Sequence, residues 1–189
     1  LQAHKENVSC DHKFSSMDKD DAIEQLMTQY GEEIKRLIYT YTKNWAQADD
    51  LTQDVFVQIY MKLDQFTGKS AIRTWIYSIA INRCKDFKKS WHFKNMQLFE
   101  KVISFTKADN RTPEVEAIQK DDDNFLMDKV MSLPIKYREV ILLFYYKEFS
   151  VEEISVVTGI NQGTVKTRLK RAREKLHTLY MGTRGETIE

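Results

Sequence analysis

Asp50, Gln53, Asp54, Val57 and Met61 recur at three- and four-residue steps, which puts two carboxylates, an amide and two apolar groups on one stripe of a helix. Acids beside exposed apolar groups suit docking of a basic helical partner. An acidic first turn favoured by the helix dipole would explain Asp50 and Asp54 but not Val57 and Met61. Asp49, Asp50 and Asp54 could also be imagined as metal ligands in a helical bundle. No facing Glu-x-x-His or second carboxylate cluster accompanies them, and His4, His12, His92 and His177 are scattered with no spaced nucleophile and base. The expectation is therefore a protein that is not an enzyme, with no metal and no cofactor.

A second constellation lies on the next helix, expected from about Ile72 to Lys89. At about 100° per residue, Ile72, Ile76, Ile79, Ala80 and Phe87 fall on one side, and Trp75, Ser78, Asn82, Asp86 and Lys89 on another. A ring can stack on a nucleobase while an amide reads its edge, and Lys85, Lys88 and Lys89 can hold phosphates alongside. Core packing of Trp75 is an equally good reading of that residue.

The third constellation is a helix-turn-helix pattern. Ser150 and Glu153 make a capping box for a short helix ending at Thr158, Gly159 permits a turn, and a second helix runs from about Gln162 to Leu179. Val165, Leu169, Ala172 and Leu176 form its inward stripe. Gly163, Thr164, Thr167, Lys170 and Arg171 lie opposite, flanked by Lys166 and Arg168, a face suited to a major groove. Arg173 and Lys175 sit nearer the flank, where phosphate attraction is the simpler role. A plain surface helix hairpin is the competing reading.

These groups need helices to position them, and the chain has the composition for it. Among 189 residues there are only six glycines and two prolines, 42% are hydrophobic, and strand-like alternation is scarce. The expected fold class is all-α, with two small helical domains joined by a linker. The expected boundaries are a polar, disordered leader at 1–17, a first domain at 18–90 broken most clearly at Thr67-Gly68-Lys69-Ser70, a linker at 91–122, a second domain at 123–181 and a tail at 182–189. In the first domain Leu51, Val55, Ile59, Lys62 and Leu63 are expected to face inward.

Net charge is only +1, but it is unevenly spread. Lys69, Arg73, Arg83, Lys85, Lys88, Lys89 and Lys94 face the single acid Asp86 in one segment. Lys166, Arg168, Lys170, Arg171, Arg173 and Lys175 face Glu174 in another. Two basic segments on a nearly neutral chain imply two polyanion contacts and leave acidic surface for a basic partner. There is no run of about eighteen apolar residues and no signal-peptide layout. Cys10 and Cys84 match no metal or redox spacing, so a cytoplasmic protein is expected.

Three segments carry a family resemblance: Asp50-Leu51-Thr52-Gln53-Asp54-Val55-Phe56; Thr74-Trp75-Ile76-Tyr77-Ser78-Ile79-Ala80-Ile81-Asn82 followed by Asp86; and Gly163 through Arg173 together with Leu133-Pro134-Ile135-Lys136-Tyr137-Arg138. In this order and spacing they resemble the extracytoplasmic-function (ECF) sigma factors of the sigma-70 family. The resemblance implies a region 2 that docks on a coiled coil of the largest subunit of core RNA polymerase and opens the −10 element of promoter DNA. It implies a region 4 that reads the −35 element and sits on the flap of the second-largest subunit. Asp50, Gln53, Asp54, Val57 and Met61 would then bind polymerase. Arg73, Trp75, Asn82, Lys85, Asp86, Lys88 and Lys89 would meet the −10 DNA, with a flipped base read near Asn82. Thr164, Lys166, Thr167, Arg168, Lys170 and Arg171 would meet the −35 DNA. It further implies a monomer when free and an anti-sigma factor that covers the polymerase-binding surfaces and can hold the protein at the membrane. Asp54 stands where the family usually has glutamate, and Lys88 where an apolar residue or arginine is common. The rival is a conventional helix-turn-helix regulator, which would not need the Trp75 helix or the acidic-apolar stripe.

Overall fold

In the computed structural model, residues 18–99 and 122–184 are described, and every regular element among them is helical. Helix α1 (Lys19–Thr42) follows from apolar residues at three- and four-residue spacing: Ala22, Leu26, Tyr30, Ile34, Leu37, Ile38 and Tyr41 are all buried. It stops where Lys43 turns left-handed at φ 54°. Asn44 then caps α2 (Trp45–Lys62), its side-chain oxygen accepting from the Gln47 N–H at 3.0 Å. That break inside the first block carries no glycine or proline.

Helix α2 buries Ala48, Leu51, Val55, Phe56 and Ile59 and packs along α1. Lys62, expected to face inward, is exposed, because α2 ends there and the chain tightens into a 3-10 turn at Leu63–Gln65. Gly68 takes a positive φ of 67° in the expected break. Helix α3 spans Ile72–Phe99, so it runs beyond Lys89 into the stretch expected as linker. It contributes Ile72, Ile76, Tyr77, Ile79, Ala80, Ile81 and Cys84 to the core.

Two short helices follow, α4 (Asp122–Ser132) and α5 (Ile135–Ile141), divided at Pro134. The chain then widens into a π-helical turn at Leu142–Tyr146. Helix α6 (Val151–Thr158) has its capping box formed: Glu153 N–H donates to Ser150 Oγ at 3.1 Å, and Ser150 N–H to Glu153 Oε2 at 2.8 Å. Gly159 closes it at φ 69°. Helix α7 spans Gln162–Arg184 and buries Val165, Leu169 and Ala172.

By compactness the chain divides into two units. One comprises residues up to Phe87 together with Phe149–Val165, so that α6 belongs with α1, α2 and most of α3; the other takes in Lys88–Glu148 and the chain from Lys166 on. In the second unit Val130, Leu133, Tyr137, Val140, Ile141, Leu143, Leu169 and Ala172 are buried. No helix among the described residues is long and apolar enough to cross a membrane. The leader, most of the expected linker and the end of the tail lie outside the described residues.

Candidate functional sites

On α2 all five stripe residues, Asp50, Gln53, Asp54, Val57 and Met61, are exposed. Val57 and Met61 keep 56% and 69% of their surface in water, a large apolar exposure for side chains that could have turned inward. Met27 on α1 and Tyr60 on α2 are exposed as well; neither was singled out from sequence. The acids, however, are not all unpaired. The Asp49 carboxylate accepts from Lys35 Nζ at 2.7 Å, which raises the pKa of that ammonium, and the Asp54 Oδ2 accepts from Arg83 Nη2 of α3. Arg83, counted from sequence among the bases of the nucleic-acid helix, thus turns toward the docking stripe. Its Nε is buried with no hydrogen-bond partner.

The α3 face divides by depth. Asn82, Asp86, Lys88 and Lys89 are exposed. Trp75 is half-buried, its ring 5.3 Å from that of Phe66, so it is neither a core residue nor a fully presented platform. Ser78 donates its hydroxyl to the Trp75 carbonyl at 2.7 Å. On the opposite side of the helix, Tyr77 is fully buried and donates to Glu33 Oε2 at 2.6 Å; burial first, and that bond second, push its phenol well above the ordinary range.

Within the same unit, residues around α6 meet other sides of α3. The Phe149 ring meets Tyr77 edge-on at 5.0 Å, and the Arg73 guanidinium lies 4.5 Å from the Phe149 ring centre. Lys85 Nζ donates to the Thr158 carbonyl at 2.6 Å, capping the C-terminal end of α6. In the second unit, the Lys88 ammonium has its pKa lowered by partial desolvation and then by Arg138, although the residue as a whole stays exposed.

On α7, Asn161 Oδ1 accepts from the Thr164 N–H at 2.7 Å and so caps the helix. Lys166, Thr167, Lys170 and Arg171 are exposed, and Thr164 is half-buried. Arg168 is different: its Nη1 lies 3.8 Å from Oε2 of Glu139, a carboxylate only 4% exposed. An acid that deep needs a cation, so Arg168 is committed in part to the fold. Exposed Arg173 and Lys175 continue the basic surface, with Lys175 Nζ 5.9 Å from the Tyr137 ring. Among the described residues no group of three or more His, Cys, Asp or Glu side chains is placed to hold a metal.

Sequence spacing located the exposed faces but missed the contacts of Arg83, Glu33, Glu139 and Phe149. Each of these residues meets its partner from a distant point in the chain, and periodicity along one helix carries no such signal.

Two helical blocks, an acidic-apolar face and two basic faces define a class. Residues 26–92 match the family model for Sigma-70 region 2, and residues 126–176 match that for Sigma-70, region 4. The chain is 31% identical over 167 residues to the ECF RNA polymerase sigma factor SigW of Bacillus subtilis, covering 82% of this chain and 87% of that one. It is also 31% identical over 170 residues to the RNA polymerase sigma factor YlaC of the same organism, covering 88% and 96%. The chain belongs to the ECF sigma factors of the sigma-70 family. Its fold resembles that of the sigma factor RpoE in complex with the anti-sigma factor NepR from Bartonella quintana, with a TM-score of 0.67 at 22% identity over 84% of this chain and 96% of that one. It also resembles CnrH in complex with the cytosolic domain of CnrY, with a TM-score of 0.65 at 23% identity, covering 93% and 97%.

Proposed function

We propose that this sigma factor carries core RNA polymerase to promoters through the α2 stripe, opens the −10 element with the α3 face and reads the −35 element with α7. The observation that carries the reading is the pairing, in one unit, of two exposed apolar side chains beside acids with an aromatic and polar helix face. A regulator that only grips duplex DNA has use for neither. Asp50, Gln53, Asp54, Val57 and Met61 serve the polymerase. Arg73, Trp75, Asn82, Lys85, Asp86, Lys88 and Lys89 serve the −10 DNA. Thr164, Lys166, Thr167, Lys170 and Arg171 serve the −35 DNA, with Arg168 shared between DNA and Glu139. The functional blocks are 18–90 and 123–181. The bond-making chemistry is the polymerase's own, and the chain acts as a non-enzymatic factor in the cytoplasm.

The exposed Val57 and Met61 also need cover when polymerase is absent. An anti-sigma factor, such as the one bound to the structurally similar RpoE, is the partner that fits, and it could hold the chain at the membrane. Run-off transcription from a genomic promoter library tests the main reading. Transcripts should require both the chain and core polymerase. A chain that shifts promoter DNA equally well alone, and yields no specific transcript with core, would be a conventional regulator.

A further inference from the structure

We infer that Arg83 is a positioning residue for polymerase docking: it holds the Asp54 carboxylate of α2 in a set orientation rather than serving DNA. The inference rests on the reading of α2 as the docking face. Arg83 follows Asn82 on α3, and its position in a basic segment points to nucleic acid. The geometry points elsewhere, since its Nη2 donates to Asp54 Oδ2.

The contact is one-pronged. A guanidinium optimising its own bonding to a carboxylate would use two parallel N–H groups on two oxygens. Here Nε is buried and unpartnered, and Asp54 Oδ2 alone is engaged. The arrangement leaves Oδ1 for an incoming donor on a half-exposed carboxylate. A docking partner with a guanidinium or ammonium group would find that carboxylate already oriented, with its side-chain entropy already spent. The same geometry makes Arg83 a poor contributor to folding. A partly exposed ion pair is worth little, and a buried N–H without an acceptor costs stability.

Docking and folding should therefore respond to Arg83 in different directions. Arg83→Met keeps the apolar stem and removes the guanidinium. In the full chain it should weaken affinity for core polymerase about three- to tenfold, measured by fluorescence competition. Its urea midpoint should stay level or rise, because an unsatisfied donor has gone. In an Asp54→Ala background the same substitution should change affinity by less than about twofold. Arg83→Lys should recover part of the loss.

An unchanged or tighter affinity for Arg83→Met would overturn the inference, as would an equal loss in both backgrounds. A fall in affinity that merely tracks a falling urea midpoint would also overturn it, showing a structural role. Failure of the docking reading itself looks different: Asp54→Ala alone would then bind core polymerase like the wild type.

Discussion

The faces of α3 and α7 are both basic and both proposed to meet promoter DNA, yet they differ in readiness. On α7 the bases Lys166, Lys170 and Arg171 stand exposed on a capped helix, while Arg168 is drawn inward by Glu139. On α3 Arg83 meets Asp54, Arg73 lies over the Phe149 ring, and Lys85 donates to the Thr158 carbonyl. Duplex DNA presents a regular surface that a preformed helix face can meet. Melted DNA must be unstacked before it can be held, at a cost of a few kcal/mol per step. A helix several of whose cations already have protein partners fits contacts made late, after polymerase has docked.

The largest effect should come from the docking stripe next to α3. Asp54→Arg should weaken core-polymerase binding by about 2–5 kcal/mol if the carboxylate is desolvated on docking. The sequence alone presents Asp54 as a solvent-facing acid whose reversal leaves folding intact. With Arg83 beside it, the substitution also sets two cations together, so a small loss of stability, under about 1 kcal/mol, should accompany it. Titration with labelled core polymerase and a urea melt separate the two terms; wild-type affinity would remove Asp54 from the interface.

On α7, Lys170→Ala or Arg171→Ala should cost about 1–3 kcal/mol on the preferred −35 sequence and relax choice at one position. Arg173→Ala should weaken all sequences alike and lower the salt dependence of binding. If every substitution weakened all −35 variants equally, the readiness of α7 would be electrostatic only. Ser150→Ala, which removes one half of the α6 capping box, should cost about 1 kcal/mol in urea stability. Its effect bears on α6 as a scaffold and should leave −35 preference unchanged.

The smallest effect concerns the cations of α3. Phe149→Leu keeps apolar bulk but removes the ring over Arg73 and against Tyr77. A cation–π contact at a partly exposed site is worth about 0.5–1 kcal/mol. Arg73 also lies 5.6 Å from the Tyr77 ring and keeps that contact, so the full chain should bind single-stranded DNA only about twofold more tightly. Anisotropy of a short labelled strand would show it. An unchanged affinity would mean that Arg73 is equally available in both forms and that the contrast with α7 is overstated.

Much of this was legible in the sequence where a single helix carries the signal. The stripes of α2, α3 and α7, the Ser150–Glu153 box and the Gly159 turn all follow from spacing and cap chemistry, and the family resemblance covers the same segments. The break at Lys43–Asn44 was not legible, because a left-handed lysine has no marker in the residue type. Nor was the π turn at Leu142–Tyr146, whose apolar run reads as ordinary helix. Pairings across helices were the main loss. Arg83 reads as a DNA cation until Asp54 lies opposite it, and buried Glu139 reads as one more surface acid until Arg168 reaches it.

The most direct test of the central claim, that the α3 face opens DNA, uses Asn82. This side chain is exposed, so its loss should leave the fold intact. Trp75→Ala is the companion, with stacking worth about 1–3 kcal/mol per base, but its half-buried ring against Phe66 ties it to stability as well. Open-complex formation by Asn82→Ala holoenzyme should be measured on a duplex promoter and on the same promoter with its −10 bubble already open. Holoenzyme assembly and closed-complex binding should match the wild type, opening of the duplex should be impaired, and the pre-melted template should restore most of the loss. An equal relative deficit on both templates, or none on either, would contradict the account.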